Sequence, residues 1–250
     1  LGMVANWNRC LELADGEYIK FLFGDDLLIS DNNLKLLAGT LDNHPNVTLA
    51  CSLRTIIDRN GTKMAVRGFT PTNGVVSGKQ AIRDCLTTAR NFIGEPSVVM
   101  FRKRQATRGF LPDYKQIVDM EMWFHLLLQG DIWCEREPLA AFRHHPEQQT
   151  VINVGELVHL KEILHLYDNY LHASGIKLPK LLESALYYVQ CYRVWKGYKK
   201  HSVFGSTEAK EIISRYINIV LFKRLIPVYK LLNPLWKLLL SVRGHNPLTR

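Results

Sequence analysis

Glu17-Tyr18-Ile19-Lys20-Phe21-Leu22-Phe23-Gly24-Asp25-Asp26 is the stretch on which the reading of this chain turns. The run from Glu17 to Phe23 is rich in β-formers and reads as a buried strand. It ends abruptly in a glycine and two adjacent carboxylates. In an open α/β sheet, ligands bind beyond the carboxyl ends of the strands, so Asp25 and Asp26 stand where a site is expected. Two like charges side by side repel. A divalent cation relieves that repulsion, and Mg²⁺ or Mn²⁺ needs few carboxylates because water and substrate phosphate complete its shell. The same pair also reads as a solvated turn, or as Asp25 capping the next helix.

Around this stretch, strand and helix patterns alternate. Residues 6–14 read as a short helix stopped by Asp15-Gly16, and Ser30-Asp31 can cap a helix over 32–43. Asn46 to Ile57 reads as a strand, turned at Asp58-Arg59-Asn60-Gly61 and returning over Thr62 to Val66. A helix follows at 78–90 behind Ser77, then a short strand from Ser97 to Phe101, a helix from Asp119 to Gln129, and a strand from Ile132 to Phe142 interrupted near Pro138. This order predicts an α/β layered domain over 1–150. Beyond it no strand pattern appears. A helical extension is expected over 151–205, with helices at 154–172 and 179–198, then a linker at 199–207. A basic amphipathic tail is expected over 206–250, with helices at 208–225 and 228–242 broken at Pro227 and Pro234.

Charge separates the same regions. The chain carries a net +9 over 250 residues. Residues 192–250 hold 12 Lys and Arg against two acids, Glu208 and Glu211, whereas residues 1–191 hold 20 against 21. A basic tail seeks phosphate. Large aliphatics dominate it, which argues against a nucleic-acid groove and leaves two readings, an interfacial membrane helix or a helical pair packed on the catalytic domain or on a partner chain. No stretch reaches the roughly 18 uninterrupted apolar residues of a spanning helix. The five cysteines are widely spaced, with no Cys-x-x-Cys pair, and read as reduced cytosolic thiols. No signal peptide opens the chain, and Leu1 falls in mid-pattern, as at the start of a fragment.

Two further segments carry possible chemistry. Asp119, in Val118-Asp119-Met120-Glu121, stands at a helix start, where a carboxylate serves either as a cap or as a general base over a cleft. Phe142-Arg143-His144-His145-Pro146 closes the last strand. Arg143 and one histidine there could neutralise a diphosphate, while the His-His pair lacks a partner at zinc-ligand spacing.

Taken in order, these segments resemble the family 2 glycosyltransferases. The matching residues are Asn8-Arg9-Cys10-Leu11, Ala14-Asp15-Gly16-Glu17-Tyr18-Ile19 with Asp25-Asp26, then Asp119 with Trp123 and Leu126-Leu127-Leu128, then Glu137-Pro138-Leu139-Ala140 and Arg143-His144-His145. The chain departs from the pattern at Phe23, where the metal motif usually opens with Asp, and at Val118, where Glu often precedes the base. The resemblance implies a GT-A-like fold, a partial Rossmann-like mixed sheet, whose nucleotide-binding opening strands would lie before Leu1. It implies a bacterial enzyme of cell-surface polysaccharide or glycolipid synthesis, transferring a hexosyl or related sugar with inversion from a nucleotide-sugar donor to a saccharide or lipid-linked acceptor. In that scheme Mn²⁺ or Mg²⁺ sits on Asp25 and Asp26, Asp119 is the base, Arg143 and His145 steady the diphosphate, and Glu121, Tyr114 and Glu95 shape the acceptor side. The expected location is cytoplasmic, peripheral to the inner membrane face through residues 208–250. The competing expectation is a non-catalytic, membrane-associated interaction module on a degraded transferase domain.

Overall fold

The computed structural model describes residues 2–68, 73–88, 90–155, 157–173, 176–201 and 205–242, with side chains omitted at 154–155, 199–201, 205–206 and 231–242. The chain divides into two compact units, Leu1–Gly155 and Glu156–Arg250.

The first unit runs α1 (Met3–Leu13), β1 (Tyr18–Lys20), β2 (Leu27–Leu28), α2 (Asn33–Asn43), β3 (Val47–Ile57), β4 (Lys63–Arg67), β5 (Gly74–Val76), α3 (Gly78–Thr88), β6 (Val99–Arg102), α4 (Val118–Leu127), β7 (Asp131–Arg143) and α5 (Gln149–Gly155). Its mixed sheet has the order β1-β6-β3-β7-β2, with β4 added to β3 and β5 to β7. The spine is the long parallel pair β3–β7; every other pairing is antiparallel. An α/β class with a mixed sheet is therefore what these residues form.

Local chemistry explains the elements. Asp58 Oδ1 accepts the amides of Asn60 and Thr62, and Gly61 takes φ +86°, which closes the β3–β4 hairpin as the Asn-Gly signal predicts. Pro138 lacks an amide, and the β3–β7 register slips on either side of Leu53, which pairs with it. The strand survives because its flanks are hydrophobic and buried on both sides of the slip. Leu37 and Leu41 of α2 pack on Val47, Ala50, Met100 and Leu139 of the sheet. Cys85 of α3 meets Cys51 and Cys134 around a cavity of about 40 Å³.

Two short strands, β2 and β5, were not anticipated. β2, only two residues long, pairs Leu27 with Ala141 and Leu28 with Ala140. It is too brief to leave a periodic trace, yet it ties the segment after Asp26 to the end of β7. Conversely, β1 stops at Lys20 rather than Phe23. Phe21 and Phe23 leave the sheet for an aromatic cluster with Trp7 and Phe110, in which Trp7 and Phe23 stack at 5.3 Å.

The second unit is helical: α6 (Val158–Leu171), α7 (Lys180–His201), α8 (Gly205–Ser214) and α9 (Ile219–Val242). The two tail segments expected to be separate share one core, with Leu164, Cys191, Val194, Ile213 and Phe222 fully buried together. The break between helices falls before Ile219, because Asn218 Oδ1 accepts the amides of Val220 and Leu221 and starts α9 there. α9 then continues through both prolines. Of the expected linker, residues 202–204 lie outside the described set. The first unit extends to 155 because Asn153 of α5 donates to the Lys115 carbonyl and to Gln116 Oε1. Among the described residues, no helix is long and apolar enough to cross a membrane.

Candidate active site

The turn after β1 divides the two adjacent aspartates. Asp26 is turned inward and only 4% exposed. Its Oδ1 accepts the Arg143 amide at 3.0 Å, while its Oδ2 is buried without a hydrogen-bond partner. Burial pushes its carboxyl up, an effect partly offset by the Ser97 hydroxyl and the Arg143 amide. Lys20 feels the Asp26 charge; its ammonium donates to the Ser97 and Phe21 carbonyls and is pushed down to about 8 by its own burial.

Asp25 points the other way, into a cleft. Its Oδ2 lies 3.2 Å from His145 Nε2, and His145 Nδ1 lies 3.0 Å from Glu147 Oε2. A neutral imidazole can donate to only one of these carboxylates; the protonated ring donates to both. The Asp25 contact, and then the Glu147 contact, accordingly raise the imidazole's pKa.

Asp119 occupies the first turn of α4, one residue inside the helix. Its Oδ1 accepts the Met120 amide at 2.7 Å and its Oδ2 the Asn91 amide group at 3.4 Å. It is half-buried, with no ion pair to a cation among the described residues. Burial pushes its carboxyl up to about 7, with the Met120 amide pulling down and the charge of Glu95 adding a smaller push. α4 is anchored by Trp123, fully buried, whose indole donates to the Gly94 carbonyl at 3.0 Å.

Asp25, Glu95, Asp119, His145 and Glu147 line one cleft of about 580 Å³, with Met3, Trp7 and Phe23 forming an apolar part of its wall. That volume suits a small-molecule substrate. Sequence reasoning had singled out Asp25, Glu95, Asp119 and His145, and the fold brings these four together. It keeps four others apart from the cleft. Asp26 is underneath. Arg143 spends its guanidinium on the carbonyls of Asp25, Asp58 and Arg59 at 2.9–3.1 Å, stapling the acidic turn to the β3–β4 hairpin. Tyr114 is fully buried core. Glu121 is 2% exposed and held by Arg108 through two bonds of 2.9 and 2.8 Å. Asn91, Glu147 and the aromatic wall were missed. Asn91 sits in a loop with no periodic signal, and Glu147 stands in the segment after β7, where sequence reasoning assigned a role to Arg143 and the histidines alone.

Among the described residues, no three His, Cys, Asp or Glu side chains converge as a closed metal site. The cleft-facing Asp25 beside His145 could offer a hard divalent ion one protein oxygen, the rest of its shell coming from water and phosphate, while the unpartnered Asp26 Oδ2 is buried outside the cleft lining.

Fold and cleft together define an α/β protein with a carboxylate-lined pocket past the strand ends. No family model matches the chain. It is 30% identical over 160 residues to an uncharacterized protein of Mycobacterium tuberculosis (strain CDC 1551 / Oshkosh), a match covering 60% of this chain and 49% of that one. Uncharacterized proteins of Mycobacterium bovis and of M. tuberculosis strain H37Rv are each 28% identical over 145 residues, covering 58% of this chain and 40% of theirs. The chain thus spans about half the length, or less, of the curated relatives it matches.

Proposed function

We propose that this chain carries the metal-binding and catalytic portion of an inverting, GT-A-type family 2 glycosyltransferase. The observation that carries the reading is the convergence of Asp25 and Asp119 on one cleft, with Asp119 poised to titrate near neutrality. The mixed sheet with its acidic turn beyond β1 supports the fold assignment.

The chemistry follows from what each group can do. The Asp119 carboxylate takes the proton of an acceptor hydroxyl as that oxygen attacks the anomeric carbon. The bond from anomeric carbon to phosphate oxygen breaks, and its electron pair leaves with the nucleoside diphosphate. Asp25, with the buried Asp26 next to it in the chain, would hold Mn²⁺ or Mg²⁺, and the ion would supply positive charge against the diphosphate. His145 donates a hydrogen bond on the same side. Arg143 serves this site by fixing the shape of the acidic turn, since its Nε and Nη1 donate to three carbonyls there. Glu95 and the apolar wall of Trp7 and Phe23 bound the space for the sugars.

Release of nucleoside diphosphate from a panel of nucleotide sugars, with saccharide and lipid-linked acceptors, tests the reading. Metal-dependent release that excess chelator stops supports it. Equal release in chelator, or by the Asp119→Asn variant, defeats it.

We also propose that the protein works at the cytoplasmic face of the membrane. The solvent-facing side of α9 exposes Val220, Leu221 and Val228 beside Lys223, Arg224 and Lys230. Apolar groups among cations suit an interface of acyl chains and anionic headgroups. Flotation with phosphatidylglycerol vesicles but not with phosphatidylcholine vesicles is the expected result; flotation with neither removes the proposal.

A further inference from the structure

The loop between α3 and the 3₁₀ turn Pro96–Val98 is built around Asp119. Asn91 Oδ1 accepts the Gly94 amide at 3.0 Å, and Asn91 Nδ2 is shared between the Gly94 carbonyl at 3.3 Å and Asp119 Oδ2 at 3.4 Å. The Trp123 indole closes on the same carbonyl. Gly94 has φ +111°, and a Cβ there would stand 2.4 Å from Val98 Cγ2, so glycine is demanded twice over. This turn delivers the next residue, Glu95, into the cleft that Asp119 faces. From β3, Arg54 meets it with Nε 2.6 Å from Glu95 Oε2, both side chains being largely buried at 13% and 27% exposure. The contact is an ion pair without hydrogen-bond alignment: Arg54 Nε and Glu95 Oε2 find no hydrogen-bond partner.

A second carboxylate in the cleft would ordinarily compete with the first for protons. Arg54 cancels it. We propose that Arg54 and Asn91 are positioning residues for the Asp119 base, Arg54 by pairing off the Glu95 charge and Asn91 by holding one oxygen of the Asp119 carboxylate. The proposal rests on the reading of Asp119 as base. The charged and titratable groups facing Asp119 are Glu95 from the loop and Arg54 from β3; Asp25, His144, His145, Glu147 and Lys115 also border the cleft. Of these, Glu95 and Arg54 act on Asp119 most strongly and in opposite senses.

The test needs no substrate. The Asp119 side-chain carboxyl is titrated by ¹³C NMR in the wild-type protein, in Arg54→Met, in Glu95→Gln and in the double variant. The Arg54→Met midpoint should rise by about one unit, and the Glu95→Gln midpoint should fall. The double variant should return close to wild type, because each partner acts through the other. Asn91→Ala should raise the midpoint by a smaller amount. If Glu95→Gln, the substitution safest for folding, leaves the Asp119 midpoint unmoved, the proposal is overturned. Midpoints of nucleotide-sugar turnover against pH are then compared across the same variants. Rates that follow the NMR midpoints support both ideas. NMR midpoints that move while rates do not would overturn the base reading itself and, with it, the positioning role.

Discussion

Two carboxylates on α4, two residues apart, are treated in opposite ways. Glu121 is buried against Arg108 with both oxygens engaged in charge-assisted bonds. Asp119 is half-buried at the mouth of a cleft, holds one short bond to an amide and one long bond to Asn91, and forms no ion pair to a cation among the described residues. In the sequence both were candidate site residues, Asp119 as a carboxylate at a helix start and Glu121 through the resemblance. The difference is satisfaction. A buried charge whose hydrogen-bonding capacity is filled by a fitted partner is spent on structure. A carboxylate kept near solvent without a counter-charge carries an unfavourable energy that stability alone does not explain, and such groups gather at functional sites.

The contrast breaks most visibly in turnover. Asp119→Asn should lower the rate of sugar transfer by about a thousandfold, within the range that removal of a general base costs, with the protein still folded. Glu121→Gln should do the reverse. It removes half of a paired charge and leaves Arg108 facing a neutral amide. Breaking a buried pair costs about 3–5 kcal/mol; Arg108 is 29% exposed and regains water, so a loss nearer 2 kcal/mol in chemical denaturation is expected. Rate per folded molecule should hardly change. Should Glu121→Gln cost more in rate than in stability, the division of roles between the two residues fails.

How far the sequence reveals this division depends on the range of the forces involved. The order of the longer strands and helices up to residue 143 was legible because buried faces impose periods of 2 and 3.6 on neighbouring residues, whereas β2 and β5 are too short to show one. Asp25 and Asp119 were legible because strand ends and helix starts place residues predictably. The orientation of Asp26 was not. It depends on β2, two residues long, and on Arg143, 117 positions away. Arg143 reads in sequence as a free cation at a strand end; only the fold shows its Nε and Nη1 bound to three carbonyls. The partnering of Glu121 by Arg108 and of Glu95 by Arg54 is likewise a matter of tertiary approach, which composition and spacing do not encode. The extent of β1 failed for a related reason: Phe21 and Phe23 have strand-like character, but the stack with Trp7 outweighs it.

The same contrast has a smaller thermodynamic signature. The Asp119 carboxyl, about 3.8 when unperturbed, is held near 7 in the folded state. A group whose folded pKa is raised binds its proton more tightly when folded. Its stabilising contribution is therefore complete below about pH 4 and is lost as pH rises through about 7. Asparagine does not titrate, and its Oδ1 can still accept the Met120 amide. Relative to Asp119→Asn, the wild-type protein should lose stability across that window and then level off. Partial exposure of Asp119 to the cleft screens the charge, so a difference of about 1–2 kcal/mol between pH 5 and pH 8 is expected. Paired denaturation curves of the two proteins at those pH values give the number. The variant being the more stable at pH 8, by a margin that shrinks at pH 5, is the mark of an ionised carboxylate kept against the interests of the fold. A margin independent of pH would mean that Asp119 is as well accommodated as Glu121, and the reason for assigning it the chemistry would be gone.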